Sequence, residues 1–378
     1  MMQNFLARMG DASVRGALFM SAGSTLPIHL MPMIIDGMRK DNMSGALAGG
    51  VLGAFLLGFC TVAAALPLLG IKNITQRWGW LALAMLPLWV LASANLHPQA
   101  LLLPWFGVGL TCGALQCMAN LMVADAPDKH VAFSARLAVT LVGNGLIALL
   151  LQLLGGFAGP FEAIRGVALG IALSAAVGLP WYRLKRMVQA QHAKMFHGMA
   201  TGVGLVGIAL MFAGLHGFTA FAFSHGEELG FDTPTMVWCL IAVKIAAGSW
   251  ALYLLARPWG FQGSMWVSGG LTLAGLVLLQ FGSNLPLFFA GLLLREFGLN
   301  ALSARFLATV TNTNPSVVAP WLALFMFGGS ASGPLLRGLS MDHGVPLAFS
   351  VFAFAVCLVP AAYAMWLHRK GTRMGVPV

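Results

Sequence analysis

The chain has 378 residues, of which 59% are hydrophobic and only 8% charged, and its mean hydropathy is +0.84. A water-soluble globular domain carries roughly a quarter charged residues, so the composition excludes one and leaves a multi-span membrane protein. The formal charge is +10, yet no basic stripe is interleaved with aromatics, which argues against nucleic-acid binding. The 46 glycines fit helices that approach closely in a bilayer. Cys60, Cys112, Cys117, Cys239 and Cys357 all sit in apolar stretches without a CxxC pair. They read as small core hydrophobes, not as a disulfide framework or a zinc site.

Twelve apolar stretches of about 20 residues follow, the length a helix needs to cross the hydrocarbon. They cover 16–35, 45–69, 79–95, 101–122, 132–154 and 164–182, then 198–223, 235–255, 265–281, 285–308, 317–336 and 346–367. The first follows Arg8 and Arg15, has no small-residue cleavage pattern and runs on past Pro27 and Pro32, so it reads as a span and not a leader. Ser21, Thr25, His29 and Asp36 lie along one side of it. His29, in the kinked segment between the prolines, is either a titrating group or a packing hydrogen-bonder. The fourth stretch carries Cys112, Gln116 and Asn120 at i, i+4 spacing, and the fifth carries Arg136, Thr140 and Asn144 in the same register. His216 stands alone in the seventh. Such groups line a polar path or simply hold helices together.

The eighth stretch holds Lys244 at its middle, on a helical face with Leu240, Ala247, Gly248 and Ala251. The tenth holds Arg295 on a face with Gly291, Gly298 and Leu302, and Glu296 on an adjoining face with Asn300 and Ser303. Ionisable side chains this deep in a bilayer are costly and mark functional sites by default. A guanidinium fork suits a carboxylate or phosphate. Two cations and one carboxylate leave one positive charge over, which calls for an anion. The plainer alternative is a network of Lys244, Arg295 and Glu296 that only locks helices. Methionine pairs such as Met118/Met122 suit Cu(I), but both pairs lie at helix ends and the 21 methionines read as packing. No metal site, cofactor motif, phosphate-binding loop or catalytic triad is present in the sequence, so the chain reads as a non-enzyme.

The cations sort by side. With the N-terminus inside, only Arg39, Lys40, Arg165 and Arg337 of the 21 Lys and Arg fall in outer segments, and Lys244 and Arg295 in mid-membrane. The rest fall inside, which places both termini in the cytoplasm. The longest inner connection is basic and polar, RLKRMVQAQHAKMFH at 183–197. It divides the chain into an N-terminal bundle at 1–186, a linker at 187–197 and a C-terminal bundle at 198–378. A faint repeat supports that division: DAPDKHVA at 125–132 and NTNPSVVA at 312–319 each precede a span with a glycine pair.

Twelve spans in two six-helix bundles, joined by a basic loop, resemble the major facilitator superfamily. LPIHLMPMIIDGM at 26–38 is similar to that family's first helix running into its outer loop, and FGGSASGPLLRGLSMDHG at 327–344 to its eleventh helix and following turn. The loop GIKNITQRWGW at 70–80 departs from the family's Gly-x-x-x-Asp-Arg-x-Gly-Arg pattern, because an amide or hydroxyl replaces the acidic residue. The resemblance implies an all-α membrane protein and a cavity lined by helices one, four, seven and ten, which favours Gln116, His216 and Arg295. The expected activity is secondary transport of a small organic anion, a carboxylate-bearing metabolite or siderophore, across the cytoplasmic (inner) membrane by alternating access. Lys244, Arg295, Gln116, Asn144, Asn300 and His216 are the expected substrate contacts. Glu296 and His29 are the expected proton-coupling groups, with symport the favoured direction and efflux open. The expected partners are the substrate, protons and lipid, with the protein a monomer. The alternatives are efflux of amphipathic drugs, or a non-transporting assembly factor or sensor that kept the fold.

Overall fold

The computed structural model describes residues 12–68, 75–93, 97–124, 129–153, 160–182, 198–255, 261–313 and 315–373. The expected linker at 187–197, the bundle boundary at 186 and parts of both repeat motifs lie outside the described residues. Every regular element among the described residues is helical. The N-terminal group comprises α1 (Ala12–His29), α2 (Met31–Lys40), α3 (Gly45–Leu68), α4 (Gln76–Ser93), α5 (Leu102–Ala124), α6 (Lys129–Leu153) and α7 (Pro160–Gly178). The C-terminal group comprises α8 (Met199–Ala220), α9 (Ala222–Glu228), α10 (Thr233–Leu255), α11 (Phe261–Phe281), α12 (Leu285–Thr313), α13 (Pro315–Asp342), α14 (Pro346–Val356) and α15 (Val359–Arg373). Among the described residues seven helices are long and apolar enough to cross a membrane, or eight if a bent pair counts as one.

That pair is α1 and α2, bent by 42° at Leu30. Proline explains the bend. Pro27 and Pro32 have no backbone N–H, so two rungs of the helical ladder are missing on either side of the joint. The expected first span therefore runs further than 16–35 and in two pieces. The expected seventh span runs on to Glu228 as one continuous apolar stretch, with a single irregular residue at Phe221 between α8 and α9. The two joints share one backbone conformation: φ −102°, ψ 10° at Leu30 and φ −103°, ψ 15° at Phe221. A similar irregularity, at Cys357 and Leu358, separates α14 from α15 in the last apolar stretch.

Burial is inverted relative to a water-soluble protein. Leu91, Leu103 and Leu153 are 69%, 67% and 70% exposed, while Lys244 and Arg295 are each 3% exposed. Leucine outside and charge inside is the pattern of a bundle whose solvent is lipid. Within the N-terminal group α1 packs against α5, α6 and α7. Within the C-terminal group α8 packs on α13 and α14, and α11 on α12.

Two helix pairs make the broadest contacts between the groups, α3 with α13 and α6 with α10, and α2 also touches α8 and α9. Small residues permit both. A Cβ on Gly49 would overlap the Pro334 carbonyl, and one on Gly338 the Gly45 carbonyl. Backbones that close gain dispersion contact along their length, the main attraction between helices in lipid. Polar bonds add to this at the same end. Asp342 of α13 accepts the backbone N–H of Gly45 at 2.9 Å and of Ala46 at 2.8 Å, capping α3 from the other group. Lys40 lies 2.8 Å from Asp36, 2.7 Å from Thr233 and 3.5 Å from Glu227. Thr233 passes its own hydroxyl proton to Glu227 at 2.8 Å. Just before α10, Asp232 accepts the Thr235 backbone N–H at 2.9 Å, which holds its carboxyl below the ordinary range.

The α3–α13 contact can be tested by overpacking. Gly338→Val is expected to lower stability by about 1–3 kcal/mol, read as a lower unfolding temperature in detergent. Gly270→Ala, where a Cβ meets nothing within 4 Å, is expected to leave that temperature unchanged or slightly raised.

Candidate functional site

The side chains that stand out in the sequence converge at the junction of the two groups. Lys244 comes from α10, held against α6 by small residues. A Cβ on Gly145 of α6 would sit 3.3 Å from the Lys244 Cβ, and one on Gly248 would sit 2.9 Å from the Ala138 carbonyl oxygen. Arg295 and Glu296 come from α12, which lies backbone-close on α11. A Cβ on Gly275 would overlap the Arg295 backbone, and one on Gly298 the Thr272 backbone. Any larger residue at these positions would push the charged groups out of register.

Glu296 is the hub. Its Oε1 accepts from Lys244 Nζ at 2.5 Å, and its Oε2 accepts from Arg295 Nη1. Each carboxylate oxygen therefore serves a different cation. Arg295 Nη2 donates to the Leu215 carbonyl of α8 at 3.2 Å, beside His216. Lys244 Nζ also lies 3.2 Å from His29 Nδ1 of α1. An ammonium has donors only, so this contact requires His29 to accept at Nδ1 and to carry its proton at Nε2. The cluster thus ties α1, α8, α10 and α12 together. Lys244, Arg295 and Glu296 are 3%, 3% and 4% exposed. If all three are ionised, the site carries one surplus positive charge in a low-dielectric setting.

Several polar atoms around the cluster are unsatisfied. Arg295 Nε, His216 Nδ1 and both side-chain polar atoms of Asn144 are buried without a hydrogen-bond partner. Asn144 is fully buried and adjacent in sequence to Gly145, the residue that packs on Lys244. Unpaired polar atoms in a core are expensive. They are the groups a bound ligand or water would satisfy.

The structure does not bring the other two expected contacts into this cluster. Gln116 accepts from Ser21 at 3.1 Å and Ser24 at 2.6 Å and donates to Asn120 at 3.1 Å. It stitches α1 to α5 in the N-terminal group, with Arg136 donating to the same Asn120. Asn300 turns its amide back to the Glu296 carbonyl one turn earlier, at 2.7 Å. Among the described residues no group of three or more His, Cys, Asp or Glu could hold a metal ion. Sequence reasoning placed Arg337 in an outer segment but did not find its burial, at 5% exposed, or the cap from Asp342. The signals lay in the apolar run around Arg337 and in Asp342 just before a turn.

No protein-family model matches the chain, and no curated protein matches it. Solved structures do. The human organic anion transporter MFSD10 (TETRAN) superposes with a TM-score of 0.66 at 16% identity, covering 94% of this chain and 99% of that one. The nucleoside transporter NupG gives 0.62 at 16% identity, over 96% and 100%. A bacterial homologue of the human lysosomal transporter Spinster, inward-facing and occupied, gives 0.57 at 11% identity, over 95% and 96%. The chain has the fold of major-facilitator-type transporters, as its sequence resemblance implied.

The ionic hub predicts non-additive energetics. Glu296→Gln leaves two cations uncompensated and is expected to destabilise the protein by about 3–5 kcal/mol. The double variant Lys244→Met, Glu296→Gln is expected to cost less than the sum of the singles, with a coupling of about 0.5–3 kcal/mol. Thermal unfolding of the four proteins in detergent measures both.

Proposed function

We propose that the protein is a secondary transporter that carries a small organic anion together with a proton by alternating access, and that Glu296 occupies the anion's place between turnovers. The observation that carries the reading is the pair of buried cations, Lys244 and Arg295, converging on one carboxylate at the junction of the two helix groups. A transported carboxylate would compete with Glu296 for the same donors. Protonating Glu296 withdraws the competitor, so proton and anion favour each other's binding. The charge balance agrees: a monoanion entering with one proton leaves the surplus of one positive charge unchanged. His29, bonded to Lys244, lies where it can relay that proton. His216 and Asn144 offer neutral hydrogen-bonding groups for the rest of the substrate. The fold shared with an organic anion transporter supports the substrate class.

The same reading takes the chain to cross the inner membrane twelve times with both termini in the cytoplasm. The helices beyond the clearly apolar ones pack alongside them, α10 on α6 and α13 on α3, at the length a crossing needs. Uptake is the favoured direction, because a cationic site captures anions from dilute solution.

The test is a proteoliposome uptake panel of mono-, di- and tricarboxylates, with and without an inward proton gradient. Acidifying the outside is expected to drive accumulation of a monocarboxylate. Lys244→Gln and Arg295→Gln are each expected to cut flux by about tenfold or more. Glu296→Gln is expected to abolish gradient-driven accumulation while sparing exchange of labelled for unlabelled substrate. Asn144→Ala, which removes no existing hydrogen bond, is expected to lower flux with little loss of stability. Undiminished, still gradient-driven flux in the three charge variants would overturn the reading and favour an amphipathic-drug pump.

A further inference from the structure

A further buried cation, outside the central cluster, has no carboxylate paired with it among the described residues. Arg337 of α13 is 5% exposed. Its Nη1 donates to the Pro346 carbonyl and to Ser350 Oγ, which in turn lies 2.6 Å from Gln280 Oε1. Its Cζ lies 5.5 Å from the Phe218 ring centre and 5.7 Å from that of Phe349. Its Nε has no partner. Among the described residues no carboxylate comes within ion-pair distance of it. Glu228 is within electrostatic reach, but its side chain is 62% exposed and engaged by His225 at 3.2 Å.

Ring faces, a hydroxyl and one carbonyl supply partial negative charge, where a buried guanidinium calls for a full counter-charge. Beside Arg337 lies an enclosed pocket. Phe218, Phe221 and Phe288 make apolar walls, and His225 and Gln280 add polar groups. His225 Nε2, like Arg337 Nε, is buried without a partner. The space left suits a single occupant the size of a water molecule or a small ion. A carboxylate-bearing metabolite would not fit. None of Lys244, Arg295 and Glu296 lines the pocket.

We propose that Arg337 holds a small monovalent inorganic anion, a halide no larger than about chloride, in this pocket of the C-terminal helix group. The guanidinium supplies the charge and its free Nε–H the directed bond. The apolar wall suits a weakly hydrated ion, which gives up little hydration on entry. A divalent oxyanion is too large and too highly charged for one cation. The site lies beside Phe221, where α9 begins, and α9 carries Glu227 of the Lys40–Thr233 bond set. An anion here would therefore buttress the helix that joins the groups at that end. The proposal does not rest on the transport reading and stands if that reading fails.

The experiment is equilibrium binding of radiolabelled chloride to the purified full-length protein in gluconate buffer at constant ionic strength, with thermal unfolding in parallel. One saturable site per chain is expected, displaced by unlabelled chloride and more weakly by bromide but not by iodide, gluconate or sulfate, with a matching rise in unfolding temperature. Arg337→Gln is expected to weaken binding by about tenfold or more, and Lys244→Gln, which removes the surplus charge of the central cluster, to leave it unchanged. Because Arg337→Gln risks misfolding, the wild-type protein carries the decisive result. Absence of saturable chloride binding, with equal unfolding temperatures in chloride and gluconate, would overturn the proposal and assign the pocket to water. Loss of binding in a folded Lys244→Gln protein would place the ion at the central cluster and overturn it equally.

Discussion

One carboxylate shared between two cations governs the middle of this molecule. Lys244 and Arg295 carry like charge, and in a medium of low dielectric they would repel strongly if brought together alone. Glu296 makes their proximity possible by giving one oxygen to each. The consequence is architectural as well as electrostatic. The lysine sits on α10 and the other two residues on α12, so the shared carboxylate fixes the relation of these helices. Lys244 then reaches His29 on α1, and Arg295 reaches the Leu215 carbonyl on α8. Four helices from both groups meet through three ionisable side chains. Neutralising any one of them alters what the other two experience.

Glycine makes that geometry reachable. In lipid there is no hydrophobic effect to press helices together, and close approach depends on small residues at the contact. Here the small residues are those beside the charges. Gly275 and Gly298 set α12 on α11, and Gly145 and Gly248 set α10 on α6. The packing of Trp250 on Phe297, ring centres 5.6 Å apart, closes α10 against α12 a turn away. A side chain such as lysine can therefore be short of water without being short of partners, because the helices deliver the partners to it.

The parts of this site legible in the sequence were those whose signal is local. Lys244, Arg295 and Glu296 stood out because charge is conspicuous in an apolar run, and the kink near His29 because proline leaves a mark of its own. The helical period also put Arg295 and Glu296 on adjoining faces, as their contact requires. Long-range partners left no such mark. His29 and Lys244 are 215 positions apart, and nothing in either neighbourhood names the other. Gln116 and Asn120 gave a clean i, i+4 stripe, but a stripe does not say what faces it, and here the serines of α1 do. Arg337 stands close to a turn, so its sequence position marks an end-of-span residue and says nothing of its burial. Its burial comes from the Pro346–Ser350 segment folding back and from Phe218 on a remote helix. The helical class of the fold was readable from composition and span length, whereas the irregular residue before α9 was not, since no proline accompanies the joint at Phe221.

The joints at Leu30 and Phe221 bear on how the molecule could change shape. Each lies between a long helix that reaches the central cluster and a short one that reaches the cross-group bonds of Lys40, Glu227 and Thr233. His29 lies immediately before one joint, and Leu215, which accepts from Arg295, six residues before the other. A helical joint that lacks ladder bonds bends at lower cost than an intact helix. The α1–α2 joint can therefore absorb a rotation at the Lys40 end without forcing His29 away from Lys244, and the reverse holds as well. The irregular residue at Phe221 has the same backbone conformation, but no proline removes a ladder bond there and the stretch runs as one continuous apolar span. Bending confined to the proline joint would leave the ionic centre assembled, the separation of events that the proposed alternating access around a fixed site requires.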